Sequence, residues 1–570
     1  MHILGLSALE HSPAAAIIGE NGVIAAIEEG KLARSRSAEG IPRRAIQFCL
    51  DGSGIKWPDV DRIAVASRPG RAWSRTVLFR ARLAPSAPKS SVYFLNKAFG
   101  ELGRELNNFR IVREMVAGAR DRVQGFDHHL SHAASAYFAS PFDRALIVTL
   151  DERGDGRCGF AGAGEGKSIR ELAGIPFPHS LAWFYTQITK LIGFQPHGDE
   201  HKTQWLSTTG EPIFADFFTA MLRRAPQSPP RLQSKYFQRD FAADLSFSDE
   251  FYKGLGIKRE AEPHLEHKLC ANIAASLQHA CTEIVVDWVE TLRKHNGEQN
   301  LCLAGGLFLN PLLVAAVEEK TGFQNTFVQP AAGNEGTALG AAWLAWHESP
   351  ARSRVAPLAS LYLGPSYSNE QIKQVLDNCK ATYHWCNSED QKVDEALSLL
   401  QAGRIVAWFQ GAAEFGPRAL GNRSLLASPW APYVTDNLND FVKHREPYRP
   451  FALSIPEDDC PEYFDCTKNG RFMTTMGTPT SKTRKLLEPV SSGFITQDRV
   501  RLHIVAKEDN PLLWKLLKRS GEKGPAPLLV NASFNLFGEP LVITPRDAVR
   551  SYFCSGVDAL MAGNFLLSKR

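Results

Sequence analysis

Residues 126–156 read FDHHLSHAASAYFASPFDRALIVTLDERGDG, and the fold is decided by how this stretch is parsed. His128 and His132 stand four apart, and the tract from Leu130 to Ala139 is rich in alanine, with Leu, Tyr and Phe. That composition favours a helix, on which residues i and i+4 project from the same face. Two imidazoles so placed can reach one metal ion. The apolar run Ala145–Leu150 then predicts a buried strand that stops at Asp151. An acid at a strand end supplies a third ligand, and two histidines with one carboxylate suit a divalent transition metal. The competing reading has one histidine capping the helix and another satisfied in the core.

Working outward, residues 2–28 read strand, turn, strand, turn, strand, as HILGLSA, AAAIIG and VIAAIEE with polar turns between. Residues 145–174 follow the same plan with ALIVTLD, the turn ERGDG, RCGFAGAG and SIRELAG. The two segments are unlike in sequence but alike in order. Duplicated hairpins of this kind clamp nucleotide phosphates in the actin, hexokinase and sugar-kinase architecture, although two ordinary hairpins would read the same way. PRRAIQFCLDGSGI (42–55) predicts an amphipathic helix ending at Gly52 or Gly54, with a strand, DRIAVAS, after it.

A long helix is expected from about Pro263 to His295, with Leu269, Ile273, Leu277, Ile284, Trp288 and Leu292 on one core stripe. The strand NLCLAGG then meets Gly305 and Gly306 before a helical segment after Asn310. A glycine pair there lets backbone approach a ligand and leaves N–H groups for phosphate. The pattern returns at QPAAGNEGTALG, with Gly333, Gly336 and Gly340. Two hairpins and two glycine turns together point to a nucleotide cleft. HGDEHK (197–202) reads either as a nucleotide-binding turn or as a polar loop. Residues 69–123 are basic with interspersed aromatics, a helical insertion or loop whose charge reads as solvated surface.

A chain of 570 residues exceeds one core and predicts roughly two to four domains. A net charge of +4 excludes a broad nucleic-acid footprint but allows a local basic pocket. The ten cysteines form no CxxC pair, which argues against a zinc ribbon or a disulfide scaffold. The opening MHILGLSALEHS lacks the basic flank of a signal peptide, and glycines with Asn310-Pro311 interrupt the longest apolar stretch. A cytoplasmic protein that neither spans a membrane nor binds nucleic acid is expected.

A boundary is expected at 347–360, in HESPARSRVAPLAS. Beyond it, GAAEFGPRALGNRSLLASP (411–429) and KHREPYRPFALS (443–454) crowd Arg418, Arg423, Lys443, Arg445 and Arg449 among Gly-Pro turns. Such a cluster is costly to assemble unless an anion neutralises it, and arginine forks suit phosphate or carboxylate. In LLVNASFNLFGEPLVITP, Ser533 and Asn535 stand two apart at the polar end of a strand, where they orient a ligand or cap a turn.

EFGPRALGNRS, KHREPYRPFA, VNASFNLFGEP, HHLSHAASAY and GGLFLN together resemble the NodU/CmcH family of O-carbamoyltransferases, over nearly the whole chain. The resemblance implies an α/β fold class: a duplicated actin-like nucleotide-binding domain over 1–350, which performs carbamoyl transfer, followed by a YrdC-like domain over 351–570, which activates carbamoyl phosphate. It implies that carbamoyl phosphate and ATP give a carbamoyl-adenylate, whose carbamoyl group passes to a hydroxyl of a natural-product or sugar-type small molecule. Arg418, Lys443, Arg445, Arg449, Arg501, Ser533 and Asn535 would hold carbamoyl phosphate. Gly154, Glu200, Lys202, Gly305, Gly306 and Asn310 would line the nucleotide site. His128, His132, Asp151 and Asn334 would hold a divalent metal, Fe(II) by the family's habit, with Mg2+ an option alongside ATP. His11 maps onto the family's catalytic base. A homodimer stays open.

Three departures stand out. Asn334 replaces a liganding aspartate. The family's HxDGTxRxQ is ITQDRVRLH here, keeping Arg501 alone, and EYKxMGLAPYG is EHKTQWLSTTG, keeping Glu200 and Lys202. A divergent member with another donor, or a nucleotide-binding scaffold without activity, are the alternatives.

Overall fold

A computed structural model describes the chain except residues 8–10, 69, 72–73, 75–87, 116–119, 224, 226–227, 238–246, 260–264 and 570. The chain divides into two compact units. One comprises 1–24, 39–46 and 54–357, the other 25–38, 47–53 and 358–570.

The first unit is built on two five-stranded sheets. One uses β1 (Ile3–Leu6), β2 (Ala14–Gly19), β3 (Gly22–Glu28), β4 (Arg62–Val65) and β5 (Val123–Gly125), in the order β3-β2-β1-β4-β5. The other uses β6 (Arg144–Gly154), β7 (Arg157–Glu165) and β8 (Ser168–Pro176). Past a two-residue ribbon, β9 (Leu222–Arg223) with β10 (Arg231–Leu232), it adds β11 (Asn300–Ala304) and β12 (Asn325–Val328), in the order β12-β11-β6-β7-β8. In each sheet the first strand is central, antiparallel to the second and parallel to the fourth, which is parallel to the fifth. The same three-plus-two order occurs twice, which is the duplicated actin-like plan. Ala145–Val148 are fully buried, as a central strand covered on both faces requires.

The sequence reading needs three adjustments. β6 does not stop at Asp151 but runs on to Gly154 with an irregular register after Leu150. The turn is therefore the tight pair Asp155 (φ 48°) and Gly156 (φ 75°), whose positive angles suit a twisted hairpin. The long helix is His267–Asn296, closed by Gly297 at φ 70°; Pro263 lies outside the described residues. That helix is long and apolar enough to cross a membrane, but 78% of its apolar window is buried in the protein. Within 69–123, Pro88–Met115 is helical as expected, while 75–87 and 116–119 lie outside the described residues, as does the turn at 8–10. Cys379 and Cys554 are exposed, Cys466 is half-buried, the other cysteines are buried, and all are free thiols.

The second unit surrounds one mixed sheet, in which Val406–Phe409, Arg423–Ala427, Leu529–Ser533, Ala452–Pro456 and Arg499–Val505 are neighbours in that order. Alternation along these strands sorts the side chains. Val500, Leu502, Leu453 and Val530 join one core cluster. Val505 and Leu529 join another, under Leu513, Leu516 and Leu517 of the helix Pro511–Glu522. Each such buried aliphatic side chain contributes roughly 1.5–3 kcal/mol. On the strand face that bears Val505 and Leu529, the period of two also places His503 and Arg501, with Asn531 and Ser533 beside them. The polar residues of this unit thus continue an apolar patch.

Candidate active site: a histidine–carboxylate triad and a cation cluster

The helix His128–Tyr137 is capped by Asp127, not by a histidine: its Oδ1 accepts from Leu130 N at 3.1 Å. Asp127 Oδ2 accepts from Arg71 at 2.8 Å and from Arg157 at 3.1 Å. Four residues of helix bring His128 Nε2 and His132 Nε2 each to 3.2 Å from Asp151 Oδ2. All three side chains are buried, at 3%, 0% and 6% exposure. Asp151 Oδ1 accepts from Gly306 N at 3.1 Å. Gly305, at φ 96°, lies so close to Leu150 that a Cβ would fall 2.3 Å from that residue's carbonyl oxygen. Gly154 lies flat against His128, where a Cβ would fall 2.0 Å from the imidazole Cδ2. These glycines let two backbones close over the triad. His129 turns away to Thr149 Oγ1 at 2.9 Å.

Burial pushes the Asp151 carboxyl up, but hydrogen bonds from His128 and His132 outweigh it and hold the group well below its ordinary value. Burial pushes His132 down and His129 down to about 3, keeping these imidazoles neutral at physiological pH. Asp155, which accepts from His128 N at 2.8 Å, is raised by burial to about 6.

Asn334 joins this site to His11. Its Nδ2 donates to His11 Nδ1 at 2.7 Å. Its Oδ1 is buried without a hydrogen-bond partner, and its side chain raises the basicity of His132. The ligand atoms of His128, His132 and Asp151 lie within 4.8 Å of one another. Two imidazoles, a carboxylate and an orphaned carbonyl oxygen fit a divalent transition metal. His197, left open in the sequence reading, also reaches this site. Its Nδ1 is 3.0 Å from Glu152 Oε2, and its ring centroid is 6.5 Å from that of His11.

The expected nucleotide residues divide. Gly154, Gly305 and Gly306 sit at the triad. Glu200 Oε1 accepts from His197 N at 2.7 Å and from Thr186 Oγ1 at 2.9 Å. Lys202 pairs with Asp199 at 3.1 Å over the Phe194 ring. Asn310 caps the helix Pro311–Lys320, its Oδ1 accepting from Leu312 N and Leu313 N at 3.1 Å each.

In the second unit, Arg418, Lys443, Arg445, Arg449 and Arg501 converge. Burial, together with Arg449, pushes Arg418 down to about 10; burial, with the same neighbour, pushes Arg445 down to about 9. Arg501 falls well below the ordinary arginine value through burial and the charges of Arg418, Arg445 and Arg449. Lys443 Nζ donates to Ser533 O and to Asn535 Oδ1 at 2.8 Å, and burial holds it well below an ordinary lysine. Ser533 Oγ donates to the same Asn535 Oδ1 at 2.7 Å. Glu446 answers with one carboxylate, 3.6 Å from Arg449 Nη1. Arg501 Nε and Arg449 Nε are buried without partners.

Arg423, counted with this cluster from its sequence neighbourhood, is elsewhere. It is fully buried, 3.9 Å over the Phe409 ring, and donates to Pro365 O at 3.0 Å. The altered motif at 495–503 forms a hairpin with Gln497 (φ 48°) and Asp498 (φ 62°) at its tip, which still delivers Arg501.

The sequence reading missed Glu414. Its Oε1 accepts from Leu420 N, Asn422 N and Arg423 N at 2.8, 2.9 and 3.1 Å, fixing the loop that carries Arg418. It also missed Arg36, whose charge bears on Lys443 and Arg449 from the segment 25–38. A glutamate inside an apolar Gly-Pro tract was the available signal for the first.

Comparison with known proteins follows the same division. Residues 2–343 match the model of the carbamoyltransferase N-terminus, and residues 397–569 that of the carbamoyltransferase C-terminus. An uncharacterised protein of Synechocystis sp. is 31% identical, over 100% of this chain and 97% of its own length. The nodulation protein NolNO of Sinorhizobium fredii is 31% identical, over 98% of this chain and 79% of its own. Among solved structures, the ROK hexokinase of Thermus thermophilus has a TM-score of 0.31 at 14% identity, over 61% of this chain and 99% of its own. At that level it adds nothing to the topology itself. Two matched halves, in a chain that carries the motifs of both, show that it belongs to the carbamoyltransferase family.

Proposed function

We propose that this carbamoyltransferase activates carbamoyl phosphate with ATP and passes the carbamoyl group to a hydroxyl of a small-molecule acceptor. The observation that carries this reading is the cluster of buried Lys443 with half-buried Arg418, Arg445, Arg449 and Arg501, whose members depress one another's basicity. A small dianion relieves that repulsion. Arg418, Arg445, Arg449 and Arg501 provide forks for its phosphate oxygens, and Lys443, Ser533 and Asn535 orient the carbamoyl end. Mass balance requires water: carbamoyl phosphate, ATP and water give carbamoyl-adenylate, phosphate and pyrophosphate.

Transfer is assigned to the first unit. His128, His132, Asp151 and Asn334 would hold a divalent metal, which would supply Lewis-acid chemistry at this site. His11, beside Asn334, would take the proton of the acceptor hydroxyl, and His197, oriented by Glu152, stands near enough to assist.

The test is to reconstitute the chain with Fe(II) anaerobically and supply ATP and labelled carbamoyl phosphate. Pyrophosphate and carbamoyl-adenylate are expected, and both are lost in Arg418→Ala. ATP binding without any pyrophosphate would sink the reading.

A further inference from the structure

We propose that His384, Cys386 and Glu395 form a zinc site in the second unit. None of the three belongs to either cluster above, and the proposed reaction has no use for them. His384–Trp385 is a short edge strand paired antiparallel to Phe565–Ser568, with His384 opposite Leu566. Alternation sends His384 and Cys386 to the same side, and Cys386 N, donating to Asn564 O at 2.9 Å, fixes that register. Ser388 then caps the helix Glu389–Gln401 through Gln391 N at 3.2 Å. Gln391 and Glu395, four apart, share one helix face.

The result is a compact donor set. His384 Nε2 is 3.1 Å from Glu395 Oε1. The ligand atoms of His384, Cys386 and Glu395 all lie within 4.8 Å of one another. Gln391 Nε2 donates to Glu395 Oε1 at 2.8 Å and lies 3.2 Å from His384 Nε2, holding carboxylate and imidazole together. Cys386 is fully buried beneath them, whereas the His384 side chain is 58% exposed and leaves a way in from solvent. A surface histidine–glutamate pair has no need of a thiol under it. Lys392, the neighbouring cation, is aimed at Gln410 Oε1 at 3.4 Å.

Imidazole nitrogen, thiolate sulfur and carboxylate oxygen are the ligands zinc takes, with a fourth position left for water. The thiol disfavours magnesium and calcium, which prefer oxygen ligands alone. On binding, Cys386 loses its proton to solvent and a sulfur–metal bond forms, with no change in oxidation state. The ion would clip the edge strand to the helix Glu389–Gln401.

The test uses the full chain, stripped with chelator and titrated with Co2+ as a spectroscopic stand-in. Titration to two equivalents, enough to fill the triad as well, is expected to give a sulfur-to-cobalt charge-transfer band, which Zn2+ then bleaches. The band should persist in His128→Ala and vanish in Cys386→Ser. Because Cys386 is buried, His384→Ala and Glu395→Gln serve as the milder variants, each expected to weaken the affinity by on the order of tenfold or more. No thiolate band in the natural chain, a band that survives Cys386→Ser, or unchanged affinity in both milder variants would overturn the proposal.

Discussion

Lys443 shows what a buried cation costs when its neighbours are also cations. Its ammonium has good acceptors in Ser533 and Asn535, yet burial first, and then Arg445 and Arg449, hold it below the ordinary lysine value of 10.5. Between that lowered value and 10.5 the unfolded chain binds more protons than the folded one, so stability rises with pH across the window. Without an anion, the unfolding midpoint should therefore climb as pH is raised toward 10.5, with a slope of at most about 1.4 kcal/mol per pH unit from this residue. Lys443→Met should reduce the slope, and inorganic phosphate should raise the midpoint at neutral pH. Thermal unfolding across a pH series checks this, and a slope unchanged in Lys443→Met would assign it elsewhere. At this scale most of the second unit's cluster was legible, because several arginines and a lysine in a Gly-Pro tract are hard to explain otherwise. Arg423 was not. Adjacent residues on a loop and strand point different ways, and sequence proximity hides whether a guanidinium meets a ligand or, as here, backbone carbonyls and the Phe409 ring.

At the scale of elements, the hairpin of β6 and β7 shows how a strand, a turn and a helix make one site. Asp151 faces the helix because β6 loses its regular register after Leu150, and His128 fits because residue 154 has no side chain. The apolar run, Ala-rich helicity and the i, i+4 spacing made the strand, the helix and the triad readable in advance. The bulge was not readable, since nothing local distinguishes a strand that ends at an acid from one that bends there. The role of Gly154 was equally hidden, because close approach to a ring and close approach to a phosphate demand the same residue. Gly154→Ala separates them. Its Cβ would collide with the imidazole at 2.0 Å, so the ring must tilt, at a cost of roughly 1–3 kcal/mol. Stability measured by denaturant should fall by that amount, and divalent-metal affinity should fall with it. Gly198→Ala, where an added Cβ meets nothing within 4 Å, should leave both unchanged. Equal behaviour of the two variants would remove Gly154 from the site.

Across the whole molecule, the composition of each unit comes partly from distant sequence. The second unit includes residues 25–38, in which Lys31 Nζ donates to Glu414 O and Gly416 O at 2.7 Å each and pairs with Glu28 at 2.9 Å. A partner 383 residues away leaves no trace in local periodicity, which is why the boundary expected at 347–360 gave no sign of this contribution. The duplicated sheet order was readable because each copy is contiguous enough to show its hairpin. If the two units divide the chemistry as proposed, their variants should divide as well. Lys443→Met should reduce carbamoyl-phosphate-dependent pyrophosphate release by on the order of a hundredfold, as loss of a buried charge-stabilising donor does, while leaving metal content at the triad unchanged. His132→Ala should do the reverse, lowering bound metal and sparing pyrophosphate release. Pyrophosphate assays and metal analysis on the same preparations decide the matter. A His132→Ala chain that releases pyrophosphate as poorly as Lys443→Met would mean that activation needs the triad, and the division of labour would have to be abandoned.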